Sequence, residues 1–130
     1  MWSWTAGKIV NASNESADGG ETHNWDRTYY AGGTFDPSTG EWGSLPDTPK
    51  ERGEFQNIYA AGDRYAVAYS GGVFDAEEQR WLHLTRPQGG PDGETAAAWV
   101  GEELYVWSGV RWEGSDAVLL DDGWVWHPEP

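Results

Sequence analysis

Few residues in this chain are placed to do chemistry. Ser70 stands in Ala-Tyr-Ser-Gly-Gly, one substitution from the G-x-S-x-G turn that presents a nucleophilic serine. That turn needs a helix behind the strand, and no helical pattern follows Ser70. Ala31 holds the same place in a second copy of the segment, so a structural role accounts for Ser70. His23, His83 and His127 are far apart and match no metal-ligand spacing. His23 shares a polar stretch with Glu15, Asp18 and Glu21, which reads better as a solvated loop than as a cation site. His83 alternates with Trp81 on one strand face. Asp36-x-Ser38-x-Gly40-Glu41 looks like a calcium loop cut short; with so few carboxylates it reads as a β-turn opened by Asp, as does Asp121–Asp122. Glu51, Glu54, Asp92 and Glu94 fall in connections between strand groups. Two of them roughly 5–9 Å apart would make a glycosidase pair, but 22 acidic residues make chance neighbours common. No catalytic residue, metal ligand or cofactor is assigned on these grounds.

Composition narrows the classes further. The 130 residues suit one domain with a real core. The absence of cysteine removes disulfides, thiolate zinc sites and cysteine nucleophiles. A net charge of −14, with Lys8 and Lys50 the only lysines and six scattered arginines, opposes binding to nucleic acid. An acidic shell suits solubility first, then a cationic partner or metal ion. No run approaches the roughly 20 apolar residues of a membrane helix. The start, MWSWTAGKIV, lacks the basic and apolar regions of a signal peptide. The compartment stays open, and the sequons at Asn11 and Asn14 matter only in a eukaryotic secreted protein.

Architecture is written more plainly. YAGGTFDPSTGEW from Tyr30 returns as YSGGVFDAEEQRW from Tyr69. Gly32/Gly71, Gly33/Gly72, Phe35/Phe74, Asp36/Asp75 and Trp42/Trp81 coincide at one offset of 39 residues. A fixed period of this size signals a repeat architecture. Short β-prone runs punctuated by Gly, Pro, Asp and Asn fill the chain, and they sort into three groups of four strands at 1–47, 48–88 and 89–130. Each group runs strand, Gly turn, strand, loop, strand, Asp turn, Trp strand, Pro. The last group is read as 96–100, 104–107, 117–120 and 124–126. The spacing predicts an all-β chain of three four-stranded β-propeller blades. Ten tryptophans fit that scheme, with Trp42, Trp81 and Trp124 opening each fourth strand and filling equivalent gaps between sheets. The glycine pairs allow positive φ or close backbone approach beside the third strand.

The motif set resembles the Kelch family of propellers. Gly32–Gly33, Phe35, Asp36–Pro37, Thr39, Trp42, Leu45–Pro46, Pro49 and Arg52 match its blade pattern. The second copy keeps Gly71–Gly72, Phe74, Asp75 and Trp81 but has Ala76 in place of proline. The third is weaker, with Ser108–Gly109 where a diglycine belongs and Asp121, Trp124 and Pro128 retained. The resemblance implies a Kelch-like or galactose-oxidase-like propeller and no particular activity. Copper chemistry of the galactose-oxidase type needs a Cys-linked Tyr, which a chain without cysteine does not have.

Closed propellers typically use 4–8 blades, and an open wedge of three would bare the apolar faces of its terminal sheets. Either the sequence is a fragment, or two copies close a six-bladed ring as a homodimer. The resemblance further implies a binding face on the loops joining second to third strands and those joining blades: 13–27, 70–72, 109–115, and around 47–54 and 86–95. Trp25, Arg27, Arg111 and Trp112 are its candidate contacts, since Trp beside Arg is a frequent hot-spot composition; the alternative folds Trp25 and Trp112 back over strand edges. The expected function is a non-catalytic scaffold binding a protein, glycan or small-molecule ligand. The alternative is part of a propeller enzyme acting on carbohydrate.

Overall fold

The structure is a computed structural model that describes residues 2–12, 14–16, 28–30, 32–46, 58–67 and 72–129, with backbone alone at 14–16 and 28–30. The described residues form strands and no helix. The strands are β1 Ser3–Thr5, β2 Lys8–Asn11, β3 Asn14–Ser16, β4 Thr28–Tyr30, β5 Gly33–Asp36, β6 Glu41–Gly43, β7 Ala60–Ala61, β8 Tyr65–Val67, β9 Gly72–Asp75, β10 Arg80–His83, β11 Ala96–Val100, β12 Glu103–Glu113 and β13 Asp116–Trp126. All pairing is antiparallel. The first sheet has the order β1-β2-β5-β6, the second β10-β9-β8-β7, the third β11-β12-β13, and β3 pairs with β4.

Three tight hairpins set a common register. Thr5 faces Lys8 and Val100 faces Glu103, each across two turn residues, and the Gly62 amide donates to the Tyr65 carbonyl at 2.8 Å across Asp63 and Arg64, next to the Ala61–Ala66 pair. At the first, Ala6 and Gly7 both have positive φ, 51° and 72°, as a type I′ turn requires. From these turns the side chains alternate in matching rows. Trp4, Ile9, Phe35 and Trp42 lie in one row across the first sheet. Ala61, Ala66, Phe74 and Trp81 form the same row in the second, and Trp99, Leu104 and Trp126 in the third. The row beside it, on the opposite face, reads Ser3, Val10, Thr34, Gly43 in the first sheet, then Ala60, Val67, Val73, Leu82, then Ala98, Tyr105, Val125.

Those rows explain the packing. Val10, Ala12 and Leu45 of the first sheet's side meet Ala66, Phe74 and Ala76 of the second, with Trp81 beside them. The second sheet's other face, including Tyr65, Val67, Val73 and Leu84, meets Leu104 and Val106, flanked by Trp99, Trp124 and Trp126. Each sheet therefore turns one face to its predecessor and the other to its successor, and the stack is front to back. Burial of apolar rows on both faces of the middle sheet drives it, and all three β8 residues are buried.

The third group departs from the expected four strands. β13 runs unbroken through the two segments expected as separate strands and through the Asp-Asp-Gly between them, so the third sheet has three strands. An equally long partner makes this possible. β12 pairs with β13 from Leu104↔Trp126 to Glu113↔Asp116, and a bulge between Trp107 and Gly109 absorbs the one-residue shift. Ser108, at the bulge with φ 62°, donates its Oγ–H to the Leu120 carbonyl at 2.8 Å. The Asp-Asp-Gly reads as a turn only while that cross-strand partner is out of view.

Trp124 is relocated accordingly. Trp42 and Trp81 hold one position, opposite Phe35 and Phe74. Trp124 lies on the third strand opposite Val106, at the register of Gly33 and Gly72. In the second sheet a Cβ at Gly72 would sit 3.2 Å from the Trp81 ring, so glycine there makes room for a fourth-strand indole. The third sheet has no such strand among the described residues, and Trp124 itself packs against the core between second and third sheets. Trp42 fills no gap: it is 72% exposed. Gly33 and Gly72 open their strands, Gly32 precedes one, and Gly71 lies outside the described residues.

Candidate functional site: the β12–β13 arm

Beyond the bulge, β12 and β13 continue as a two-stranded arm closed at Gly114–Ser115. The segment expected as the loop 109–115 is thus mostly strand. Arg111 and Trp112 sit on it, facing Val118 and Ala117. Trp25 and Arg27, with 13, 17–27, 47–57 and 68–71, lie outside the described residues.

The arm is fastened by the connection from the second sheet. The Asp92 amide donates to the Val110 carbonyl at 2.7 Å, and the Val110 amide donates to the Gly93 carbonyl at 3.0 Å. Asp92 Oδ2 accepts the Trp112 amide at 2.6 Å, while its other oxygen pairs with Arg86. Arg111 Nη1 donates to the Gly89 carbonyl at 3.0 Å, and its Nη2 meets Glu113 Oε1 at 2.7 Å. Buried Pro91 lies against Gly109 at the base. These bonds hold the two chain segments to one another.

Arg111 is therefore half-buried and committed to holding the arm. Trp112, beside it, is 59% exposed. Its cross-strand neighbours on the same side are Ala117 and, two pairs inward, Leu119 opposite Val110. Leu119 is 80% exposed. Leu119 was not legible as an exposed apolar residue, because its exposure depends on the arm extending past the sheet. Its only sequence signal is an apolar pair, Leu119–Leu120, in strict alternation with Trp112's partner.

The chemical candidates resolve into local roles. Asp36 accepts the Ser38 Oγ–H at 2.5 Å and its amide at 2.9 Å, and Gly40 N–H closes the turn onto Asp36 O at 2.8 Å. The Ser38 hydroxyl, followed by its amide, holds the Asp36 carboxyl below its ordinary value. Asp92 is engaged by Arg86 and the Trp112 amide. Glu94 takes a left-handed φ of 57°; Glu51, Glu54, Ser70 and His23 lie outside the described residues. His83 is exposed, and exposed His127 stands 3.5 Å from Glu103. Among the described residues no three of His, Cys, Asp and Glu gather as a metal site. No helix of the described residues is long and apolar enough to cross a membrane.

Fold and site together define a tryptophan-rich all-β protein: antiparallel sheets stacked front to back, with a clasped hairpin arm. No family model matches the chain, and no curated protein matches it in sequence.

Proposed function

We propose that the three sheets are Kelch-like propeller blades and that the chain is a non-catalytic scaffold binding a protein partner through the β12–β13 arm. The observation that carries this reading is the pairing of exposed Trp112 and Leu119 on one side of an arm pinned by Asp92, Arg86 and Arg111. A rigid aromatic anchor beside an aliphatic side chain binds with little ordering cost. The Kelch resemblance supports it independently, since the arm joins the second and third strands of its sheet, where that family's binding face is expected. Arg111 acts as a positioning residue for Trp112.

A photo-crosslinking amino acid at position 112, used in the native host, identifies the partner. Trp112→Ala should then weaken it by about 1–3 kcal/mol, the usual hot-spot scale, and Arg111→Ala by less. Normal binding by both variants rejects the arm. Release of reducing sugar from a glycan panel would favour the carbohydrate-enzyme alternative.

A further inference from the structure

The first sheet's outward face carries residues whose register mates in the other sheets are covered. Trp42 and Trp81 occupy one position, each against the phenylalanine opposite, at 4.7 and 5.3 Å between ring centroids. Trp81 is partly buried and donates its indole N–H to the Pro46 carbonyl of the preceding sheet at 3.0 Å. Trp42 is 72% exposed. Trp4 and Trp99 repeat the comparison on the first strand. Trp99 stacks on Tyr65 of the preceding sheet at 5.0 Å and packs against Gly62, whereas Trp4 is 61% exposed.

The opposite end of the stack bares the complementary face. Tyr105 and Val125 stand at the register of Val10 and Thr34 in the first sheet and of Val67 and Val73 in the second. All four of those residues are buried beneath the sheet that follows. Tyr105 and Val125 are exposed, and with Ala96, Ala98, Trp107 and Gly123 they line an apolar concavity of about 470 Å³. The chain thus presents one uncovered face of each kind, and both internal interfaces join one kind to the other.

We propose that the occupant is a second copy of this chain, docked head to tail: the Trp4–Trp42 face of each copy seats on the Tyr105–Trp107–Val125 face of the other. Two such seams, related by a two-fold axis, close six sheets into a ring and leave neither face bare. Continuity with the two interfaces already inside the chain is the argument, because the same rows meet in the same order. The inference is separate from the partner-binding arm, whose Trp112 lies outside the rows that meet. Each copy carries a net charge of −14, so screening by salt should tighten the association.

Light scattering and sedimentation of the full chain at about 10 μM should give a dimer, and raising salt from about 0.05 to 0.5 M should lower its dissociation constant. Trp42→Glu and Trp107→Glu change side chains exposed in the single chain, so each variant should keep its far-ultraviolet circular dichroism yet dissociate at least about tenfold more readily. Mixing the two variants is decisive. In the mixed pair both damaged faces fall in one seam and the other seam is intact, so the mixture should associate more tightly than either variant alone. A folded wild-type monomer, an open-ended polymer, or a mixture no tighter than its components overturns the proposal. So does a chain that stays unfolded at every concentration, because the covering sheets would then belong to a longer polypeptide.

Discussion

Arg64 grips Asp75 with two nitrogens, Nε to Oδ1 at 3.0 Å and Nη2 to Oδ2 at 2.8 Å, and the carboxylate is fully buried. Arg64 belongs to the β7–β8 turn and Asp75 ends β9, so the fork ties the start of β8 to the end of β9 in the middle of the second sheet. The remaining nitrogen, Nη1, reaches Glu102 in the β11–β12 turn at 3.1 Å and so ties the second sheet to the third. The amides of Glu77 and Glu78 also donate to Asp75 Oδ1, at 3.1 and 3.2 Å. A buried carboxylate with this many donors is the satisfied kind.

Removing Arg64 leaves a buried carboxylate without its counter-ion, held by two amides only. Arg64→Met should therefore destabilise the chain by about 3 kcal/mol, the lower end for a broken buried pair because the guanidinium is partly exposed. Glu102→Gln removes only a rim contact and should cost under about 1 kcal/mol. Urea melts of both variants check the difference.

Acid should act through the same group. Burial opposes ionisation of Asp75, but the Arg64 fork and the two amides outweigh it and hold its pKa below the ordinary 3.8. The unfolded chain therefore takes up the proton first as pH falls. The stability contributed by Asp75 is complete well above the ordinary value of 3.8 and is lost as pH drops through the folded-state pKa. Asp75→Asn should be less stable at neutral pH and should lose less stability than the parent chain as pH falls below about 5.

How much of this was legible in the sequence follows from which interactions are local. The Asp36 and Asp75 turns, the glycines that open β5 and β9 and the Trp opposite Phe35 and Phe74 recur at one offset, so the repeat discloses them. Trp124 could not be placed that way. Its position depends on β12 and β13 pairing over their whole length, a long-range register that Asp-Asp-Gly disguises as a turn. The Asp92 clasp on Trp112 joins residues 20 apart and leaves no periodic trace. Arg111 and Trp112 were legible as a Trp-Arg pair, but the division between a holding arginine and a presented tryptophan required the arm.

Trp42 and Trp81 give a paired stability test. Trp81→Ala removes a ring packed between two sheets together with the hydrogen bond to the Pro46 carbonyl, and should cost about 3–5 kcal/mol. Trp81→Phe keeps most of the packing and should cost less, with about 1 kcal/mol reflecting the bond. Trp42→Ala, at concentrations where the chain is single, should cost under about 1 kcal/mol because that ring is mostly exposed. Equal losses at the two positions in denaturant melts would contradict the packing difference.

Gly109 tests the arm without altering Trp112 or Leu119. The glycine has φ 129°, and a Cβ there would meet the Pro91 Cβ at 2.6 Å, the Thr95 Cγ2 at 2.8 Å and the Gly93 carbonyl oxygen at 2.9 Å. Pro91 is buried and the carbonyl belongs to the clasp, so neither can yield without moving the arm. Gly109→Ala should cost about 1–3 kcal/mol through strain and overpacking. The damage should be local. Hydrogen exchange at the Val110 and Trp112 amides, which bond to Gly93 and Asp92, should speed up well before that at Leu104 and Val106 in the core. Asp92→Ala should reproduce the effect from the other side of the clasp by releasing the Trp112 amide. If exchange at Val110 and Trp112 stays as slow in both variants as in the parent chain, the clasp does not hold the arm, and Trp112 owes its position to the hairpin alone.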